Sequence, residues 1–185
     1  MQQLKKYLQQ NYQLSNYQIA QIFFLFSTIA SELSKIIILG IIFYSKWEFY
    51  LFALLITLFL RSAMGGLHFY TYIGCLFVSV LYFCLILFVF SQIPITQQEQ
   101  IFLLLFTMLI CYSIGPITSK YRPEDCKKHF QRGKIFTCMF IFNYALILYL
   151  IPENQYFTIG FWSILLHSLQ LIIAKILKKG EYIIE

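Results

Sequence analysis

The chain has 185 residues, of which 59% are hydrophobic and only 12% are charged, and its mean hydropathy is +0.70. The charged fraction is about half that of an ordinary globular domain, which excludes a water-soluble fold. Continuous rather than alternating apolar runs argue against a membrane β-barrel. The net charge of +6 is not gathered in a soluble basic domain, so we expect no nucleic-acid partner. We predict an all-α polytopic membrane protein with a single membrane domain over residues 1–185.

The chain begins with a polar segment and continues with long apolar runs. Residues 1–17 predict a short amphipathic helix on the membrane surface, without the compact apolar core and cleavage site of a removable signal peptide. Six membrane helices follow, because each apolar run approaches the length that crosses a hydrocarbon core about 30 Å thick. Their predicted ranges are 22–44, 49–60, 69–90, 101–117, 135–151 and 157–177. The second is the shortest, so the region 49–67 is either a spanning helix or a re-entrant segment.

Two charged residues interrupt the first predicted membrane helix. Glu32 and Lys35 are three residues apart, on one helix face, and can form an ion pair. Charged side chains inside a membrane are costly and usually face the protein interior or water. The residues support equally a buried pair that fixes helix packing and a functional role.

The most polar segment is a basic loop predicted over residues 118–134. It contains Lys120, Arg122, Lys127, Lys128, Arg132 and Lys134. Because loops rich in Lys and Arg stay in the cytosol, six membrane helices then place both termini there. This arrangement puts twelve of the fourteen Lys and Arg residues on the cytosolic side. Lys46 falls outside, and Lys35 lies within a helix.

Small, polar and nucleophilic residues gather between the second and third predicted helices. His68 and Cys75 are seven residues apart, which on one helix is about two turns, or about 10 Å along the axis. A nearby imidazole can take the proton of a thiol and make it a strong nucleophile. At helical spacing the two groups do not touch, so the break at Gly65-Gly66 must bring His68 back toward Cys75. We predict that this pair forms a catalytic site at the cytosolic membrane edge.

Alternative roles stay open for several of these residues. His68 also suits the end of a membrane helix, and Arg61 suits either a carboxylate or a simple cytosolic anchor. We interpret His167, one turn before Gln170, as a hydrogen-bonded packing residue. Cys126, Asp125 and His129 lie close together but lack a second pair of ligands, so we predict no metal site and no cofactor.

Arg61, Gly66, His68 and Cys75 have the order and spacing of the accessory gene regulator B (AgrB) family, membrane peptidases of Gram-positive quorum sensing. The stretch Glu32-Leu-Ser-Lys35 resembles the early polar motif of that family. The stop at Gly115-Pro116 before the basic segment resembles its proline-containing basic loop, although Ile117-Thr-Ser-Lys-Tyr-Arg-Pro123 is a looser match. The resemblance covers most of the chain.

The resemblance implies a bacterial cell-membrane cysteine endopeptidase. Such a protein cleaves a small precursor peptide of the AgrD type and promotes its cyclisation to a thiolactone or lactone signal. It implies Cys75 as nucleophile and His68 as base, and a homodimer. The residues implied to support the site are Arg61, Gly65, Gly66, Glu32 and Lys35. The candidates for binding the acidic tail of the precursor are Lys120, Arg122, Lys127 and Lys128.

Two other functions compete with this interpretation. The first is a non-catalytic membrane module that binds or exports a peptide, in which His68 and Cys75 are structural. The second is a metal-dependent membrane enzyme that uses His68, His129 and cysteines.

Overall fold

The fold is built from six long helices and no strand in the residues that the structure, a computed structural model, describes: 16–66, 71–117, 127–151 and 154–181. The helices are α1 Asn16–Ile42, α2 Trp47–Met64, α3 Tyr72–Cys84, α4 Gln97–Ile114, α5 Lys127–Leu150 and α6 Gln155–Glu181. A 3₁₀ turn, Tyr44–Lys46, precedes α2, and α3 continues through a π-helical turn, Leu85–Val89, and a 3₁₀ turn, Phe90–Gln92. The predicted all-α class is confirmed.

Five segments of the described residues are long and apolar enough to cross a membrane: Tyr44–Met64, Tyr72–Gln92, Gln97–Ile114, Phe130–Leu150 and Gln155–Leu177. α1 also has the required length, since its 27 residues extend for about 40 Å. Each predicted membrane helix therefore corresponds to a helix of the structure. The second is one uninterrupted helix with the length and composition of a membrane span.

The chain divides into two compact units, residues 1–44 and 45–185. The first unit contains α1, where Lys35 Nζ donates to Glu32 Oε1 at 2.5 Å. The ion pair expected from their spacing therefore forms. The surface helix predicted over residues 1–17 lies almost entirely outside the described residues.

In the second unit, two helices begin four or more residues earlier than the apolar pattern indicated. α4 begins at Gln97 rather than at 101, because Thr96 and Glu99 form a capping box. The Glu99 carboxylate accepts from the backbone N–H of Thr96 at 2.9 Å, and Thr96 Oγ1 accepts from the N–H of Glu99 at 3.4 Å. α5 begins at Lys127, so the basic segment predicted as a loop over 118–134 is helical in its second half.

In the second unit, α2 and α4 each pack against both α5 and α6, and the last turns of α3 pack against α6. Gly160 of α6 lies at a close crossing of three helices. A methyl group there would collide with the hydroxyl of Tyr144 on α5 and lie 2.8 Å from Ile56 Cδ1 on α2. The absence of a side chain at this position is therefore what lets the three helices approach.

One end of the second unit, which we call the basic end, is where α2 and α4 terminate and α5 begins. The Ile117 N–H donates to the Met64 carbonyl at 2.9 Å, and a Cβ on Gly133 would lie 2.5 Å from the Ala63 carbonyl oxygen. The basic residues toward this end whose side chains are described are Arg61, Arg132, Lys134 and Lys175.

Lys46 lies at the opposite end and is held by α3. Its Nζ donates to the Leu87 carbonyl at 3.0 Å and lies 4.7 Å from the centre of the Phe88 ring. Ser91 Oγ donates to the same carbonyl at 2.8 Å. A carbonyl of the π-helical turn of α3 thus accepts from Lys46, the lysine that the distribution of Lys and Arg places on the side opposite the basic end.

We expect Gly160→Ala to lower the free energy of unfolding. An alanine inside a helix normally stabilises it by about 1 kcal/mol relative to glycine, whereas overpacking a filled site costs about 1–3 kcal/mol. Unfolding of the purified protein in detergent micelles measures the difference. The loss should shrink in a Tyr144→Phe background, which removes the nearest atom. An equal loss in both backgrounds would contradict this explanation of the crossing.

Candidate active site

Cys75 lies in the first turn of α3. Thr71 caps this helix with an extended backbone, φ −105° and ψ 139°, and its Oγ1 accepts from the Gly74 N–H at 3.2 Å. The Cys75 N–H donates to the Thr71 carbonyl at 3.1 Å. α3 begins at Tyr72, so the pairing of His68 with Cys75 stays a prediction. His68 itself lies outside the described residues.

The backbone break that the mechanism requires is present between α2 and α3. α2 ends at Met64, and Gly65 has φ +75°, a conformation that side chains disfavour. A Cβ at Gly65 would also collide with the Ile117 carbonyl oxygen. The chain therefore does not run as a straight helix from Arg61 to Cys75.

Gly66 lies directly against the Arg61 side chain. A Cβ on Gly66 would lie 3.0 Å from Arg61 Nε and 3.7 Å from one of its terminal nitrogens. That separation is tighter than ordinary van der Waals contact, so a side chain at position 66 would push the guanidinium away. The two predicted supporting glycines thus have different local roles, since Gly65 turns the backbone and Gly66 makes room for Arg61.

Cys75 and Arg61 line one small cavity between α2, α3 and α6. Its volume is about 20 Å³, which is room for about one water molecule. The lining residues are Thr57 and Arg61 of α2, Cys75, Val78, Ser79, Tyr82 and Phe83 of α3, and Gln170 of α6. The structure therefore brings together two of the predicted site residues and adds polar neighbours, Thr57, Ser79 and Tyr82, that the sequence did not indicate.

The Tyr82 hydroxyl joins the three helices around the cavity. It donates to the Ser163 carbonyl of α6 at 2.8 Å and lies 3.2 Å from Thr57 Oγ1 of α2. Thr57 in turn donates to the Ala53 carbonyl at 2.7 Å. Each hydroxyl has a single hydrogen, so these two donations use both of the hydrogens available.

His167 is the residue whose surroundings differ most from its interpretation. Its side chain is completely buried on α6, and neither imidazole nitrogen has a hydrogen-bond partner among the described residues. His167 is therefore buried, as a packing residue should be, but the hydrogen bond predicted for it is not found among the described residues.

The cavity lining contains no other predicted site residue among those that the structure describes. Glu32 and Lys35 belong to the first unit. Lys120 and Arg122 lie outside the described residues, and Lys127 and Lys128 occupy the first turn of α5. The described cysteines, Cys75, Cys84, Cys111 and Cys138, form no disulfide with one another. The described ranges contain no group of three His, Cys, Asp or Glu side chains suited to a metal ion.

We expect His167→Leu to leave the free energy of unfolding within about 1 kcal/mol of the original or to raise it. Replacing an unpaired buried polar group by an apolar one of similar size removes a desolvation cost of about 1–3 kcal/mol. The matched control is Gln100→Leu, which removes a buried amide that donates to the Ile95 carbonyl at 3.2 Å. That control should be destabilised. A marked loss for His167→Leu would show that the imidazole has a polar partner in the folded protein.

Comparison with known proteins gives one consistent result. The sequence profile of a family described as accessory gene regulator B, AgrB, matches residues 1–171. An AgrB-like protein of Clostridium beijerinckii is 30% identical over 150 residues, which cover 79% of this chain and 74% of that protein. No solved structure matches the chain. The family match spans α1 to α5 and continues into α6, so it includes every residue that lines the cavity, and the chain belongs to the AgrB family.

Proposed function

We propose that the chain is a membrane cysteine endopeptidase that cleaves a small precursor peptide of the AgrD type and promotes its closure into a thiolactone or lactone signal. Membership of the AgrB family implies a part in accessory gene regulator peptide processing. The observation that carries the finer proposal is the cavity that Cys75 shares with Arg61 at the start of α3.

In the proposed reaction, the Cys75 thiolate attacks the carbonyl carbon of one peptide bond and forms a tetrahedral intermediate. The C–N bond then breaks, and the leaving amine takes the proton that Cys75 gave to the His68 imidazole. A thioester to Cys75 remains. A thiol or hydroxyl of the same peptide attacks this thioester, loses its proton to His68 and releases the Cys75 thiolate, so the ring closes without oxidation or reduction.

The position of Cys75 suits a reaction that must keep its acyl group from water. Hydrolysis of the thioester would release a linear acid instead of a ring. Cys75 is only 8% exposed, and it lies beside a cavity with room for about one water molecule. The first turn of α3 also places the sulfur at the electropositive end of a helix, which favours an anion.

We infer that the basic end of the second unit faces the cytosol, because Lys and Arg concentrate on that side of membrane proteins. The precursor then approaches from the cytosol or the inner leaflet. Of the two described basic side chains in the segment 118–134, Arg132 is exposed, whereas Lys134 lies against the rings of Tyr112 and Phe130 at 5.3 and 5.0 Å. Arg132 is therefore the better placed of these two to meet an acidic peptide tail.

A homodimer stays a prediction from the family resemblance.

Cys75→Ala is expected to abolish cleavage of an AgrD-type precursor by membranes that contain the full chain. Removing a covalent nucleophile costs on the order of 10³-fold or more in rate. Cys84→Ala is the matched control, because Cys84 is on the same helix but does not line the cavity. The measurement is the rate of appearance of the cleaved tail. Unaltered cleavage by Cys75→Ala would favour the non-catalytic peptide-binding or export module.

A second prediction distinguishes the roles of Gly65 and Gly66. Gly66→Ala should fold with nearly unchanged stability, because the flexible Arg61 side chain can move aside, but cleavage should fall on the order of tenfold if Arg61 orients the peptide. Gly65→Ala should instead lower the free energy of unfolding by about 1–3 kcal/mol, since the strained backbone and Ile117 leave no room. If Gly66→Ala cleaved the precursor at the original rate, the position of Arg61 against Gly66 would have no role in cleavage.

A further inference from the structure

Attack by Cys75 on a carbonyl carbon moves negative charge onto the carbonyl oxygen. In a site that excludes water, that oxyanion needs donors which the protein supplies, and these donors are usually the largest single contribution to the rate. This requirement rests on the proposed function. Most of the donors around the cavity already have acceptors.

The three hydroxyl groups of the cavity are occupied. Ser79 Oγ donates to the Cys75 carbonyl at 2.9 Å. Thr57 donates to the Ala53 carbonyl, and Tyr82 donates to the Ser163 carbonyl. Since a hydroxyl has one hydrogen, any of these groups would have to give up a buried hydrogen bond before it could donate to an oxyanion.

The backbone N–H groups nearest the sulfur are occupied as well. The Cys75 N–H donates to the Thr71 carbonyl at 3.1 Å, and the Gly74 N–H donates to Thr71 Oγ1 at 3.2 Å. Two further side chains of the cavity carry N–H groups: the Arg61 guanidinium, with five, and the Gln170 carboxamide, with two.

Gln170 projects from α6 and lines the cavity opposite the start of α3. It is half-buried, and the described residues contain no hydrogen bond to its carboxamide. A carboxamide in a membrane helix normally finds a partner across the helix interface, because lipid offers none. Rotation about its last bond presents either the oxygen or the NH₂ group to the cavity.

We propose that Gln170 is a catalytic residue that donates its side-chain N–H to the oxyanion formed at the carbonyl under attack by Cys75. It acts in both tetrahedral intermediates, when the peptide bond is cleaved and when the thioester is closed into the ring. Arg61 adds positive charge on the α2 side of the same cavity. No proton is transferred by Gln170, so its amide is unchanged after each cycle.

The test compares two reagents on the full-length protein in lipid vesicles. 4-Nitrophenyl acetate acylates a thiolate through a tetrahedral oxyanion and releases 4-nitrophenolate. Iodoacetamide alkylates the same sulfur by displacing iodide at a CH₂ carbon and forms no oxyanion. The two rate constants are measured at Cys75, with the modified peptide identified by mass spectrometry and Cys75→Ala as the blank.

Gln170→Met keeps the size of the side chain and removes both N–H groups, and Gln170→Glu replaces them with an acceptor. We expect both variants to lower the acylation rate on the order of 10²-fold. Alkylation should change by less than about twofold, because an interaction made only with the oxyanion does not affect a reaction that lacks one. Gln100→Met, a buried glutamine on α4 away from the cavity, should leave the ratio of the two rates unchanged.

Equal effects on acylation and alkylation would show a structural role for Gln170 and overturn the inference. Unchanged acylation in both Gln170 variants would overturn it while leaving Cys75 as the nucleophile. A Cys75 that 4-nitrophenyl acetate does not acylate in the unaltered protein would remove both the inference and the proposed function.

Discussion

The hydrocarbon of a bilayer offers no hydrogen bonds, and this constraint governs where the polar side chains of the second unit lie. Each of them must find an acceptor within the protein or be left at a cost of several kcal/mol. The Tyr82 hydroxyl donates a hydrogen bond to the Ser163 carbonyl of α6, and Lys46 donates one to the Leu87 carbonyl in the π-helical turn. These contacts join helices that are distant in sequence, so satisfying polar groups also fixes which helices surround Cys75.

Close backbone approach is the second requirement, and glycine supplies it at three places that determine the shape of the site. Gly160 allows α6 to cross α2 and α5, Gly133 allows α5 to approach the end of α2, and Gly66 allows the Arg61 side chain to lie against the backbone. None of these three positions needs an unusual backbone conformation; each needs the missing side chain. Gly65 is different, because its positive φ ends α2 and turns the chain toward α3. The position of Cys75 beside Arg61 depends on both effects.

The motif residues and the helix count were predictable from the sequence, since Arg61, Gly65-Gly66 and Cys75 are local in the chain and the apolar runs are long. The starts of the helices were harder to predict. The sequence Thr96-Gln-Gln-Glu99 is a capping box that marks the start of α4, but hydrophobicity alone predicted that start at residue 101. The other cavity residues could not be found in this way. Tyr82 meets Thr57 across 25 residues and Ser163 across 81, and a sequence pattern does not show which faces of distant helices meet. The lack of a hydrogen-bond partner for His167 among the described residues could not be predicted either, because its burial and its helical spacing suit a hydrogen-bonded residue as well.

The small volume of the cavity has a consequence for the conformational cycle. A space for one water molecule cannot hold a stretch of peptide, so the proposed reaction requires α3 to separate from α2 or α6. That separation breaks the contacts of Tyr82, which are worth roughly 0.5–1.5 kcal/mol each. The ring contact between Phe90 and Trp162, which also joins α3 to α6, adds to the cost of opening. In the proposed reaction, the packing between α3 and α6, and not only the chemistry at Cys75, would then set how often the thiol becomes accessible.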